Sequence, residues 1–233
     1  MSKEDRKYIL IIFFLSIVSF FSNLWVKSAD LMEARNFITA REMVQSGNWL
    51  IPTLNGNLRF EKPPFPTWIT AGMMKIFHNT TDEYLLRIPV AVISVMLIFL
   101  IYYLVKLLTE KSFYSFITSF VALSTFMIIK TGNENSWDMY CYVFAFGAVV
   151  FLVSGMKKER MRDFIISGIF LAASVLSKGP VALYGMIISF FVAYGYVYGI
   201  EKYRRNWKGI LITFGTGLVL SGIWPVLMLL NYF

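Results

Sequence analysis

Residues 84–105 read Tyr-Leu-Leu-Arg-Ile-Pro-Val-Ala-Val-Ile-Ser-Val-Met-Leu-Ile-Phe-Leu-Ile-Tyr-Tyr-Leu-Val. An α-helix needs roughly 17–25 mostly apolar residues to cross a bilayer core, and this run supplies them with one charge, Arg87. Similar runs lie on either side, at 8–26, 113–129, 139–155, 162–178, 180–200 and 209–231. The first is longer than the apolar region of a secretion signal and ends in Leu24-Trp25-Val26-Lys27 rather than in small residues, so it is read as an uncleaved span. Composition agrees. Of 233 residues, 57% are hydrophobic and only 15% charged, and the mean hydropathy is +0.61. Soluble domains have about half their residues apolar and about a quarter charged. The chain is an all-α polytopic membrane protein with about seven transmembrane helices. Residues 164–177 are short for a crossing, which leaves open a partly re-entrant segment within 164–200.

The net charge of +8 is accounted for by loops that orient spans, without a nucleic acid partner. Lys3, Arg6 and Lys7 precede the first run. Lys106 and Lys111, then Lys157, Lys158, Arg160 and Arg162, then Lys202, Arg204, Arg205 and Lys208 fall on alternate loops thereafter. The positive-inside rule makes that face, with the N-terminus, cytoplasmic. The opposite face receives 27–83, 130–138 and 178–180. The single Cys141 excludes an internal disulfide framework and a multi-cysteine metal site, and reads as a packing residue.

Residues 27–83 form the one long polar loop. Asp30-Leu-Met-Glu33 has capping-box spacing, in which the N-cap acid takes the N3 amide and the N3 acid reaches back. Ala34, Phe37, Ile38 and Val44 recur at helical spacing and Gly47-Asn48 supplies a stop. This predicts a surface-lying amphipathic helix with its apolar side in the membrane interface. Leu54-Asn55-Gly56-Asn57 predicts a tight turn. A second short helix fits 65–77, with proline in its first turn and Phe65, Trp68, Ile69 and Phe77 at headgroup level.

Ionisable groups at membrane depth are costly, so those held there are functional candidates. The outer face gathers Asp30, Glu33, Arg35, Glu61, Lys62, Asp138 and Lys178 from separate stretches. Two carboxylates from different loops suit general-base chemistry on a hydroxyl or amine. Lysine and arginine beside them suit an anionic leaving group such as a phosphate. Each has a structural alternative: Asp30 and Glu33 as the capping box, Glu61-Lys62 as a surface ion pair, Asp138 as a helix cap. With His78 the only histidine, a histidine-rich metal centre cannot come from these residues.

These stretches resemble a known family. Met32-Glu33-Ala34-Arg35, Ala40-Arg41-Glu42-Met43, Ser46-Gly47-Asn48-Trp49, Leu54-Asn55-Gly56 and Phe60-Glu61-Lys62-Pro63-Pro64 are similar to the first periplasmic loop of the ArnT-like branch of the protein O-mannosyltransferase superfamily. Arg87-Ile88-Pro89, Trp137-Asp138 and Ser177-Lys178-Gly179-Pro180 continue the match in order. The resemblance implies a GT-C-like fold with interfacial helices in the first periplasmic loop. It implies a glycosyltransferase of the bacterial inner membrane that moves an aminoarabinose-like sugar or a hexose from a polyprenyl-phosphate donor to a lipid or glycan acceptor on the periplasmic face. By the same resemblance, an acid of the first loop and Asp138 lie in the catalytic cavity. Lys62, with Arg35 and Lys178, holds the donor phosphate, and Glu61 matches a position that helps bind a divalent metal in some members, leaving the cofactor open.

Two departures stand out. The family commonly has Asp-Glu-x-Arg where this chain has Met32 before Glu33, leaving Asp30 and Glu33 as alternatives for the catalytic acid. Members also run past a seventh span, usually into an extra-membrane C-terminal domain, so residues 1–233 are expected to be the N-terminal transmembrane catalytic region. The rival readings are a transporter or flippase for a polyprenyl-linked substrate, which would favour internal repeats, and a non-catalytic membrane fragment.

Overall fold

The computed structural model describes residues 2–232. The chain divides into two compact units, Met1–Tyr140 and Cys141–Phe233.

In the first unit, α1 (Lys3–Phe21) starts at Ser2, which forms a capping box with Asp5. The long loop follows. Helix α2 (Leu31–Ser46) begins at Asp30, which accepts from the amides of Met32 and Glu33 at 2.9 and 2.8 Å. It stops at Gly47, whose φ of 72° is the left-handed geometry a C-cap glycine supplies. Strands β1 (Thr53–Leu54) and β2 (Asn57–Leu58) pair antiparallel, Thr53 opposite Leu58. Asn55 and Gly56 both have positive φ between them, the turn expected of Asn-Gly. Helix α3 spans Phe65–Phe77 with Pro66 in its first turn.

Helix α4 (Glu83–Thr109) carries the apolar run of 84–105 and is capped by Asp82. Ile12, Phe20 and Leu24 meet Ala91, Val95, Ile98 and Tyr102 of α4 in one buried cluster. The run 113–129 is broken into α5 (Ser112–Leu123) and α6 (Phe126–Gly132), bent by 67°. At the break the hydroxyls of Ser124 and Thr125 both donate to the carbonyl of Val121 at 2.9 Å, a local competition with the helix ladder. Helix α7 (Trp137–Lys158) carries the chain into the second unit.

There, α8 (Met161–Lys178) is followed by a π-helical turn (Leu183–Ile188), α9 (Ser189–Tyr198), α10 (Glu201–Arg205) and α11 (Trp207–Tyr232). Small residues bring helices together, as expected in membranes. A Cβ on Gly168 would stand 2.6 Å from the Thr216 side chain, and Thr213 Oγ1 donates to the Phe164 carbonyl at 3.0 Å. Cys141 is buried against Ala145 and Ala182, as a packing residue.

Every run read as a span contains helix, and by length and composition alone fewer than seven qualify. Among the described residues, α4, α7 and α11 are long and apolar enough to cross a membrane, and α5 with α6 makes a fourth if the bent pair is one span. Helix α1 begins with five consecutive charged residues and stops at Phe21, short of the expected 26. Helix α8 includes Arg162, Asp163 and Lys178, and the apolar helix of Leu183–Tyr198 is shorter than the three that qualify.

Candidate functional site

Helix α2 was expected to turn an apolar stripe to the membrane. Its buried face is instead Glu33, Asn36, Phe37, Thr39, Ala40 and Met43. Phe37, Ala40 and Met43 pack on Ala71 and Met74 of α3 and on Leu86 of α4, while Ala34, Ile38 and Val44 are half-buried. Three polar side chains are thus taken out of water, a placement that demands partners.

Glu33 finds them. It is fully buried beside Arg87, itself only 1% exposed. Arg87 Nε donates to Glu33 Oε1 at 2.9 Å and Nη2 to Oε2 at 3.0 Å. Nη1 donates to the carbonyls of Leu24 and Lys27, both at 2.7 Å. Glu83 pairs with Nη2 at 3.0 Å. Glu33 also accepts from the amide of Asn135 at 2.7 Å and, closing the capping box, from that of Asp30 at 3.4 Å. A bidentate Arg–carboxylate pair with its remaining groups satisfied is the form in which a buried ion pair is tolerated. Asn135 carries the network onward: its side chain donates to Thr70 Oγ1 at 2.9 Å and to the Leu86 carbonyl at 2.6 Å, and accepts from Tyr140 at 3.1 Å. Asn36 completes it, accepting from Thr67 at 2.8 Å and donating to Thr70 at 3.2 Å. Lys27 pairs with Glu134, and that hydrogen bond, acting against burial, raises the Lys27 ammonium above its ordinary value.

Two residues past Asn135 the character changes. Trp137 is buried, and its indole N–H has no hydrogen-bond partner. The Arg59 guanidinium lies 4.7 Å from the centroid of that ring and Lys62 Nζ lies 4.3 Å from it. Arg59 is only 6% exposed. Its Nη1 donates to Thr39 Oγ1 at 3.3 Å, but Nε and Nη2 are buried with no hydrogen-bond partner. The nearest carboxylate, Glu61, stands 4.0 Å from Nε and is largely exposed. Burial pushes the Arg59 guanidinium below its ordinary value; Glu61 pulls it up and Arg35 pushes it further down. A desolvated cation and a buried indole N–H, both short of acceptors, are suited to an anion.

The residues expected at the site therefore fall into distinct places. Lys62 and Glu61 stand with Arg59 beside Trp137, and Arg35 interacts with Arg59 through charge. Asp138 is half-buried in the first turn of α7, next in sequence to Trp137. Asp30 and Glu33 join the same stretch through Asn135. Asp30 uses Oδ1 for both cap amides. Lys178 belongs to the second unit, as the half-buried last residue of α8. His78 is the exposed C-cap of α3. As for a metal, no group of three His, Cys, Asp or Glu side chains converges among the described residues, and Glu61 faces a guanidinium. Sequence reading missed Arg59, Trp137's indole and Asn135; a motif marked Arg87 without its partner.

The comparisons with known proteins bear on the family and the fold. The family described as dolichyl-phosphate-mannose-protein mannosyltransferase matches residues 61–229. An undecaprenyl phosphate-alpha-4-amino-4-deoxy-L-arabinose arabinosyl transferase of Shewanella sediminis is 30% identical over 155 residues, covering 65% of this chain and 28% of that protein. The crystal structure of ArnT from Cupriavidus metallidurans bound to undecaprenyl phosphate superposes with a TM-score of 0.81 at 21% identity, over 97% of this chain and 42% of that one. An Archaeoglobus fulgidus oligosaccharyltransferase superposes with a TM-score of 0.71 at 13% identity, over 95% of this chain and 29% of that one. The chain thus spans less than half the length of each of these three proteins. The motifs of the long loop, the family match and the shared GT-C fold lead to one conclusion: the chain belongs to the dolichyl-phosphate-mannose-protein mannosyltransferase family, as an ArnT-like member.

Proposed function

We propose that the first unit holds the phosphate of a polyprenyl-phosphate sugar and supports transfer of that sugar to a lipid or glycan acceptor. The observation that carries this reading is Arg59: a buried guanidinium with two unpartnered nitrogens, stacked with Lys62 about Trp137. The arabinosyl transferase relatives support the donor class.

In the proposed reaction a carboxylate removes a proton from the acceptor's hydroxyl or amine. The acceptor atom then bonds to the anomeric carbon as the bond from that carbon to the phosphate oxygen breaks. The electron pair stays on the departing polyprenyl phosphate, whose added negative charge Lys62 and Arg59 meet. Cations fixed where charge develops lower such barriers because they need no reorganisation. Asp30 is the better base of the two loop acids. Glu33 has both oxygens committed to Arg87, whereas Asp30 Oδ2 takes no hydrogen bond among the described residues. Asp138 is the second acid of the cavity. The alternation of basic loops supports a periplasmic position for this loop, at the inner membrane. The sugar is an aminoarabinose-like pentose or a hexose.

The test is a transfer assay with defined radiolabelled polyprenyl-phosphate sugars, on the full-length protein. Lys62→Ala and Asp138→Asn are expected to abolish transfer while leaving thermal unfolding near wild type. Normal turnover in both variants would overturn the site assignment.

A further inference from the structure

The second unit contains a cavity of about 390 Å³, lined by Glu159, Met161, Phe164, Arg205, Trp207 and Lys208 among others. It has no part in the site above. Its floor is built: a Cβ on Gly209 would stand 2.4 Å from the Phe164 ring, so glycine is what admits that ring between α8 and α11. At its rim Arg205 pairs with Glu159, tying the turn before α8 to the last residue of α10. Lys208 Nζ lies 5.8 Å from the centroid of the Trp207 ring.

The lining is amphipathic in an ordered way. Met161 and Trp207 are exposed beside the charged rim, and Ile165 and Leu211, one helical turn further along, are exposed too. An apolar track therefore leaves the cavity along α8 and α11. Tryptophan and basic residues together mark headgroup level in a membrane protein. Glu159 offsets Arg205, so Lys208 leaves the lining with one net positive charge, the complement of a singly charged phosphodiester. Lys157, Lys158, Arg160, Arg162, Lys202 and Arg204 flank it in sequence and favour an anionic over a zwitterionic lipid.

We propose that this cavity binds the headgroup of an anionic phospholipid of the phosphatidylglycerol type, with its acyl chains along the α8 and α11 track. The apolar track distinguishes this ligand from free phosphate, which would have no use for it.

Native mass spectrometry of the protein released from vesicles of equal phosphatidylglycerol and phosphatidylcholine tests the site. The wild type is expected to retain phosphatidylglycerol over phosphatidylcholine by about fivefold, the preference one basic group near an anionic headgroup provides. Lys208→Gln leaves the Arg205–Glu159 pair in place and should bring the ratio near parity. Glu159→Gln removes the negative charge and should raise it, while Lys75→Gln, on α3 of the first unit, should leave it unchanged. Equal retention of the two lipids by the wild type would overturn the proposal, as would a ratio unaffected by Lys208→Gln. Displacement of the lipid by millimolar inorganic phosphate would overturn it as well, by making the ligand phosphate itself.

Discussion

The first unit buries two arginines in opposite ways. Arg87 spends its guanidinium on Glu33, Glu83 and two backbone carbonyls, at 2.7–3.0 Å. Arg59 has one side-chain acceptor, Thr39, and two buried nitrogens with none. Both are costly to take out of water. Arg87 is fully compensated within the protein, whereas Arg59 has only the exposed Glu61 carboxylate, 4.0 Å from its Nε. A saturated buried charge holds helices in place, and an unsaturated one waits for a ligand; satisfaction separates them where burial does not.

The contrast can be broken at either end. The largest effect is expected from Arg87→Ala, which strands Glu33 without its counter-ion and frees two carbonyls. Breaking a buried pair from one side costs about 3–5 kcal/mol, so thermal unfolding should show the protein largely lost at physiological temperature. A variant that unfolds like wild type would mean that the network is not holding α2 against α4.

Next is Asp30, where capping and chemistry can be separated. Asparagine caps helices about as well as aspartate, whereas alanine costs roughly 1 kcal/mol. Asp30→Asn should therefore keep wild-type stability and lose about 10²–10⁴-fold in transfer rate, the usual contribution of a general base. Asp30→Ala should lose both. Full activity in Asp30→Asn would return the role to Glu33 or to Asp138. The smallest effect is expected from Trp137→Phe. It keeps the ring under Arg59 and Lys62 and removes only the unpartnered N–H, so the donor KM should rise by about tenfold, the worth of one hydrogen bond to a charged group, with little change in unfolding.

Much of the local structure was legible because local rules decide it. The Asp30–Glu33 capping box, the Gly47 stop, the Asn55-Gly56 turn and the bounds of α3 at 65–77 all follow from side chains within a few residues of where they act. The face that α2 buries was not legible. Glu33 and Arg87 are 54 positions apart, and periodicity treats an acid on a helix as solvated until its partner is known. Arg87 inside an apolar run was the available signal, since a charge there needs a counter-ion. Arg59 gave none: in a loop with balanced charges it reads as one more surface cation, and only the packing of Trp137 against it shows otherwise. The break at Ser124-Thr125 was hidden for a similar reason, as hydropathy averages across two hydroxyls that compete for one carbonyl.

The central claim is that Arg59 is held for an anion rather than for the fold. It is tested most directly by thermal unfolding of the wild type and Arg59→Met, each with and without undecaprenyl phosphate. The ligand should stabilise the wild type, since binding to the folded state alone raises its stability. Arg59→Met should unfold at or above the wild-type temperature without ligand, because a buried charge short of hydrogen-bond acceptors has been replaced by an apolar chain, and should lose most of the ligand-induced shift. A variant that is destabilised as Arg87→Ala is, yet keeps the full shift with undecaprenyl phosphate, would contradict the account.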